Sequence, residues 1–374
     1  MTLGPDQPQQ AQSPPQPAWA RPPATVEWRE TVPLEYHQLL RGTPRYRWWK
    51  PLLALVLGVI YYLTFQVAFL VPVMGIYAAT NGGMSIEDLN GLVLPDTQNP
   101  WSIFTALMSI VLMIPAVWLV LLSTGLPPLG RVWSVALRIR WRWIGRTILP
   151  AIVALVAINV VGILLEVALT GFGSGSAVES VPDPAPPEID LSKALISLLL
   201  VVLLVPFQAT AEELVYRGVF IQVLGGWLAA FGTGSALARF MRGPVIPIVV
   251  PAVLFGLSHI YDIWGLLAVT AMALAAGWLA WRTGGLEAAI TIHVVNNLVA
   301  FGFMSFGFGG ETGQTVSGGT LGSLIGQVAG LMLYCWWVDR DFMRRDASRT
   351  RIDVVQVRTP RAPVAAAATS GAEQ

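Results

Sequence analysis

Charge is scarce in this chain of 374 residues: Lys, Arg, Asp and Glu make up 12%, against 54% hydrophobic residues. Soluble domains carry about 25% charged residues, so the shortage by itself excludes an ordinary water-soluble fold and points to a membrane protein. With a net charge of +1 there is no basic excess to attract nucleic acid. The single cysteine, Cys335, excludes an intramolecular disulfide and any metal site built on several thiolates. Histidine is also rare, with three residues in the whole chain. No cleavable leader is apparent: the first apolar run starts near Pro51, after some fifty polar and Pro-rich residues, and is expected to be a true span.

What the chain does have is long apolar runs. Eight approach the roughly 20 residues needed to cross a bilayer: about 51–78, 101–123, 147–169, 192–211 and onward, 244–260, 264–281, 286–306 and 320–338. The expected fold is therefore an all-α membrane protein, an eight-helix bundle with an intramembrane cavity. Arg and Lys alternate with acidic residues in the connecting segments. Arg41, Arg45, Arg47 and Lys50 precede the first run, Arg131 to Arg146 follow the second, and Arg340, Arg344 and Arg345 follow the eighth. The alternate loops 80–100, 170–190 and 307–319 have no Lys or Arg but carry Glu87, Asp88, Asp96, Glu179, Asp183, Glu188 and Glu311. Positive residues stay inside, so a multi-pass protein of the cell (inner) membrane with both termini cytoplasmic is expected. Composition divides the chain into a disordered Pro-rich arm (1–45), three membrane helices (46–190), a core (190–340) and a disordered cytoplasmic tail (341–374).

Against this apolar background three short clusters stand out: Glu212-Glu213-Leu-Val-Tyr-Arg217, Phe255-Gly-Leu-Ser-His259 and His293-Val-Val-Asn296-Asn297. A charge at the bilayer centre costs roughly 2.5–3.5 kcal/mol on insertion scales, so it is seldom placed there without a use. Glu213 and Arg217 are four apart with the acid first, the favourable order for a helical ion pair. Glu212 lies about 100° round the helix, without that partner, and could serve as general base toward a water. His293 and Asn297 share a helix face, with Asn296 on nearly the same side. They could hold a developing oxyanion or act as polar glue between helices. Glu212, His259 and His293 are also a ligand set compatible with Zn²⁺ plus a water. A metal-free glutamate mechanism fits equally well, and the sequence leaves both open. One helix from Leu191 would leave Glu212 near the inner surface and His259 near the outer end of its span. A long, tilted or broken fourth helix and a short fifth one are needed if the two are to meet. Of the remaining polar residues, Glu166 and Lys193 read as interfacial, Glu287 as the inner start of the seventh span, and His37 as a solvated residue of the arm. The Gly-rich stretch 307–319 reads as an outer loop without the strand and Lys of a phosphate cradle.

The order Glu-Glu-x-x-x-Arg, Phe-x-x-x-His, His-x-x-x-Asn on consecutive spans resembles the CPBP family, the CAAX-protease and bacteriocin-processing membrane proteins that include Rce1-type prenyl endopeptidases and are also called ABI-domain proteins. The resemblance covers about residues 190–340. It implies an eight-helix bundle around a cavity open to the cytosol. Glu212 would activate a water with His259, His293 and Asn297 would steady the tetrahedral oxyanion, and Glu213 and Arg217 would fill the remaining motif positions. It favours Asn297 over Asn296. Members are often labelled metallopeptidases.

The expected function is hydrolysis of a peptide bond in a peptide or protein substrate at the lipid bilayer, with no nucleic acid involved. Two other classes are a non-catalytic immunity or scaffold protein that keeps the motif for packing, and a proton-coupled transporter. Two matched halves with broken helices, the usual mark of a transporter, are absent from the sequence.

Overall fold

The computed structural model describes residues 25–44, 46–170, 188–308, 311–316, 319–345 and 347–359. The Pro- and Gln-rich residues 1–24, the loop 171–187 with Glu179 and Asp183, and the tail 360–374 lie outside the described residues.

Two short strands, β1 (Thr25–Glu30) and β2 (Leu34–Glu35), precede a 3₁₀ segment, Tyr36–Gly42. The helices follow: α1 (Lys50–Asn81), α2 (Ile86–Val93), α3 (Pro100–Val111), α4 (Met113–Ser123), α5 (Trp141–Thr170) and α6 (Leu191–Glu213). A π-helical segment, Leu214–Phe220, joins α6 to α7 (Ile221–Leu228). Then come α8 (Ala236–Arg242), α9 (Val245–Leu257), α10 (Ile263–Thr283), α11 (Glu287–Ser305) and α12 (Leu321–Met343), and strands β3 (Thr350–Arg351) and β4 (Val354–Thr359). The protein is thus an all-α membrane bundle with very little sheet, as its composition predicts.

Seven helices are long and apolar enough to cross a membrane, and α8 with α9, bent by 48°, makes an eighth if counted as one span. β1 pairs antiparallel with β4, and β2 with β3, so the chain segments flanking the bundle meet. Segments that pair must lie on one side of a bilayer, which requires an even number of crossings. The bent pair supplies it. Outward faces are apolar: in α1 only 6% of the most hydropathic window is buried inside the protein, leaving the rest for lipid. Trp48, Trp141 and Trp336 are exposed next to basic residues, where interfacial Trp sits.

The fourth membrane helix is long and unbroken, running through α6, the π segment and α7 for 38 residues. The fifth, α9, is short at 13 residues. This is the combination that lets Glu212 and the α9 motif approach one another.

α5 packs against α12 in the most extensive helix–helix contact among the described residues. Gly322, Gly326 and Gly330 recur every four residues on α12, and a Cβ at Gly326 would overlap the Ile158 carbonyl of α5. Small residues at this spacing let two membrane helices approach backbone to backbone.

Two expectations for the flanks are corrected. Residues 25–44 and 350–359, placed within disordered arms, are ordered. Leu34, Tyr36, Leu39 and Leu40 are buried against α7 and its neighbours, and strand pairing satisfies the backbone that a disordered arm would leave to water. His37 is not solvated but fully buried. Its Nε2 lies 3.2 Å from the Arg242 carbonyl, and a Cβ at Gly225 of α7 would overlap the His37 backbone carbonyl. Burial holds the His37 imidazole below its ordinary pKa, against the opposing pull of the Arg242 carbonyl and of Glu35. The clasp is fastened by Arg131. Buried, it donates to Asp353 at 2.6 Å and to the carbonyls of Leu39 and Gly42.

Candidate active site

Glu212 and Glu213 end α6 immediately before the π segment, and Arg217 lies within it. π segments are rare and frequently lie at functional sites. Arg217 is buried with Nη1 3.1 Å from Glu213 Oε1, the ion pair that the sequence spacing predicts. Its guanidinium also lies 4.3 Å from the centre of the Phe255 ring, a cation–π contact between two buried groups.

His293, on the first turns of α11, stands between the two carboxylates. Its Nδ1 is 2.8 Å from Glu213 Oε1 and its Nε2 is 3.3 Å from Glu212 Oε2. An ionised carboxylate only accepts, so when both acids are ionised each ring nitrogen of His293 donates to the one it faces. In that state His293 and Arg217 balance Glu212 and Glu213, and the group has no net charge. Such pairing is what allows four ionisable side chains, each under 10% exposed, to sit within a membrane bundle.

A residue that the sequence reading passed over completes the arrangement. Gln208, one turn before Glu212 on α6 and buried, donates from Nε2 to Glu212 Oε2 at 2.6 Å. Its Oε1 accepts from Asn297 Nδ2 at 3.1 Å. Asn297 Oδ1 in turn accepts from Asn296 Nδ2 at 3.2 Å. The signal was present, since Gln208 is a lone amide among apolar residues four positions before the acid.

His259 is held differently. Its Nδ1 is 2.8 Å from the Phe255 carbonyl, and its ring contacts Phe255 on one side and stacks on Tyr261 on the other. Phe255 also touches His293 edge-on. Among the described residues His259 has no hydrogen bond or ion pair to Glu212 or His293. Its remaining nitrogen, Nε2, is free to accept, because Nδ1 donates to a carbonyl.

No group of three or more His, Cys, Asp or Glu among the described residues could hold a metal ion. Both nitrogens of His293 face carboxylates, and His259 Nδ1 is taken up by the Phe255 carbonyl. The set Glu212, His259 and His293 therefore does not fit Zn²⁺ as arranged. Other polar residues have structural work. Glu287 starts α11 and takes two hydrogen bonds from the Arg140 guanidinium and one from its backbone N–H, tying α11 to the start of α5.

A cleft of about 490 Å³ opens between α5, α11 and the loop after it, with Asn159, Asn296, Phe303, Met304 and Glu311 in its wall. Asn296 joins this cleft to the hydrogen-bonded site. An apolar niche of about 140 Å³, lined by Tyr62, Val117, Val215 and Phe220 among others, flanks the π segment.

Fold and site together define a multi-pass membrane protein with a buried carboxylate–imidazole–amide network. Residues 193–299, less than half of the chain but including every motif above, match the family model of type II CAAX prenyl endopeptidases, Rce1-like. This is the family that the motifs resemble, and the match supports an intramembrane endopeptidase in general, acting on a protein substrate at the membrane. No curated protein and no solved structure matches the chain.

Proposed function

We propose that this chain hydrolyses a peptide bond of a membrane-associated substrate with a water activated by Glu212. The observation that carries the reading is the Glu212 carboxylate: buried, with Oε2 engaged by Gln208 and His293 while Oε1 is left for a water. Oε1 takes a proton from the water as its oxygen bonds to the scissile carbonyl carbon. His259 can assist this step as an acceptor through Nε2. The carbonyl oxygen gains the charge, and the second N–H of Asn297 is available to receive it. When the intermediate collapses, the C–N bond breaks and the proton held by Glu212 passes to the leaving amine.

His293 in this scheme steadies Glu212 rather than the oxyanion, because its nitrogens are already committed. Glu213 fixes His293 and is itself held by Arg217. Residues 190–340 form the catalytic core, and the cleft ending at Asn296 offers an extended polypeptide a route toward the network. The basic segments beside Arg41, Arg140 and Arg340 argue for both termini on the cytoplasmic side of the cell membrane.

The test compares membrane-protein termini by mass spectrometry in source cells carrying the native protein or Glu212→Ala at matched levels. New termini dependent on Glu212 are expected. Identical termini would shift the reading to a non-catalytic immunity or scaffold role.

A further inference from the structure

We infer that Gln208 is a positioning residue that aligns the general base with the oxyanion donor; this rests on the endopeptidase reading above. Its side-chain amide spans the two groups, 2.6 Å from Glu212 Oε2 on one side and 3.1 Å from Asn297 Nδ2 on the other.

An amide is suited to this place because it donates at one end and accepts at the other. Its N–H₂ has to face Glu212, since a carboxylate offers only acceptors. That fixes its oxygen toward Asn297, which can answer only with its own N–H₂. Asn297 Oδ1 is thereby turned to Asn296, whose Nδ2 donates to it. One residue thus sets the orientation of two amides and leaves the second hydrogen of Asn297 Nδ2 unclaimed. It also occupies Glu212 Oε2, which keeps Oε1 as the oxygen that meets the water.

The chain scaffold favours the same geometry. Gln208 and Glu212 are one helical turn apart on α6, so their separation is fixed by a rigid element, whereas Asn297 comes from α11. Gln208 is the direct link that registers α11 chemistry to α6 chemistry on this side of the site. His293 makes the corresponding link on the other side through Glu213. The base is held from both flanks. Gln208 touches neither water nor substrate in this scheme, so its contribution is to the alignment of groups that do.

Gln208→Leu removes both bonds at similar volume. A loss of alignment by about 1 Å costs on the order of 100-fold in rate, so kcat should fall by about that factor while KM changes little. Gln208→Glu separates positioning from packing. A protonated carboxyl can donate to Glu212 and accept from Asn297, as the amide does, whereas the ionised form can only accept and repels Glu212. Activity of that variant should rise on acidification relative to the native profile, and the Leu variant should show no such recovery. A role confined to packing would give neither difference.

The experiment assays the native full chain, Glu212→Ala, Gln208→Leu and Gln208→Glu in membranes at matched levels. The substrate is the one revealed by Glu212-dependent termini, and pH is varied. A large kcat loss in the Leu variant, with acid recovery in the Glu variant, supports the inference. Cleavage by Gln208→Leu within twofold of native, with Glu212→Ala inactive, overturns it and leaves the endopeptidase reading standing. Loss in both Gln208 variants without acid recovery in the Glu variant also overturns it, in favour of a packing role. Identical termini for native and Glu212→Ala overturn both.

Discussion

The two adjacent glutamates differ in what surrounds them, and this separates the consequences of changing each. Glu213 is enclosed by Arg217 and His293, whereas Glu212 has one oxygen free of protein donors. Removing one partner of a buried ion pair leaves the other charge uncompensated, a loss of about 3–5 kcal/mol. Glu213→Gln should therefore lower the thermal midpoint of the detergent-solubilised protein substantially. Glu212→Gln keeps the side-chain shape, stays within reach of Gln208 and faces an imidazole that can become neutral by releasing a proton, so it should cost less stability than Glu213→Gln while losing hydrolysis. The reverse ranking, with Glu212→Gln the less stable variant, would contradict this division of roles. Most of this was legible in the residues. The Glu213–Arg217 pair follows from spacing, and Glu212 stood out as the unpaired acid. Hidden from sequence was the position of His293 between both acids, because the contact joins residues 80 positions apart.

At the scale of elements, α5 and α12 approach through Gly322, Gly326 and Gly330. Around Gly326 the interface rests on close backbone contact with Ile158 and Gly162 of α5. Gly326→Leu should force the helices apart, with a cost of about 1–3 kcal/mol for overpacking if the bundle yields locally. Unfolding followed by heat or denaturant in lipid or detergent measures it. Gly302 of α11, which has open space around the position of its missing Cβ, provides the control: Gly302→Ala should be tolerated. The glycine spacing could have been noticed in the sequence, but only the structure identifies α5 as the helix it meets. A long, tilted or broken fourth helix and a short fifth were anticipated from a depth conflict between Glu212 and His259, and the fourth is long and continuous. The π segment that joins α6 to α7 had no sequence signature of its own.

For the whole molecule, the clasp of β1 with β4 and β2 with β3 couples the segments that flank the helix bundle. It contains two titratable groups whose burial makes it sensitive to acid. His37 is held neutral, below its ordinary pKa, with Glu35 and Arg242 beside it. The unfolded arm binds a proton once pH falls below about 6.5, whereas the docked arm resists it. Docking therefore stays strong above that pH and weakens as pH falls below it. Asp353 responds to stronger acid. Burial opposes its ionisation, but the Arg131 bond and charge, with Arg351, outweigh burial and lower its pKa. Its contribution is complete above the ordinary carboxylate value of about 4 and is lost as pH falls through the lowered one. Limited proteolysis of residues 25–44 should accelerate between pH 7 and pH 5, and His37→Gln should remove that step. Equal cleavage rates at the two pH values in the native protein would refute the His37 part.

By itself the sequence determined the membrane class, the spans, the alternation of charge between loops and the candidate groups of the site. These are local properties: the cost of placing a charge in lipid and the period of a helix act within one segment, so they can be read from it. The tertiary structure alone decided which of those groups meet. It joined Gln208 to Asn297 across 89 residues and Arg131 to Asp353 across 222, and it put Phe255 between His259 and His293. Such choices are made by helix packing and by the cost of leaving buried polar groups unpaired, conditions that no single segment contains.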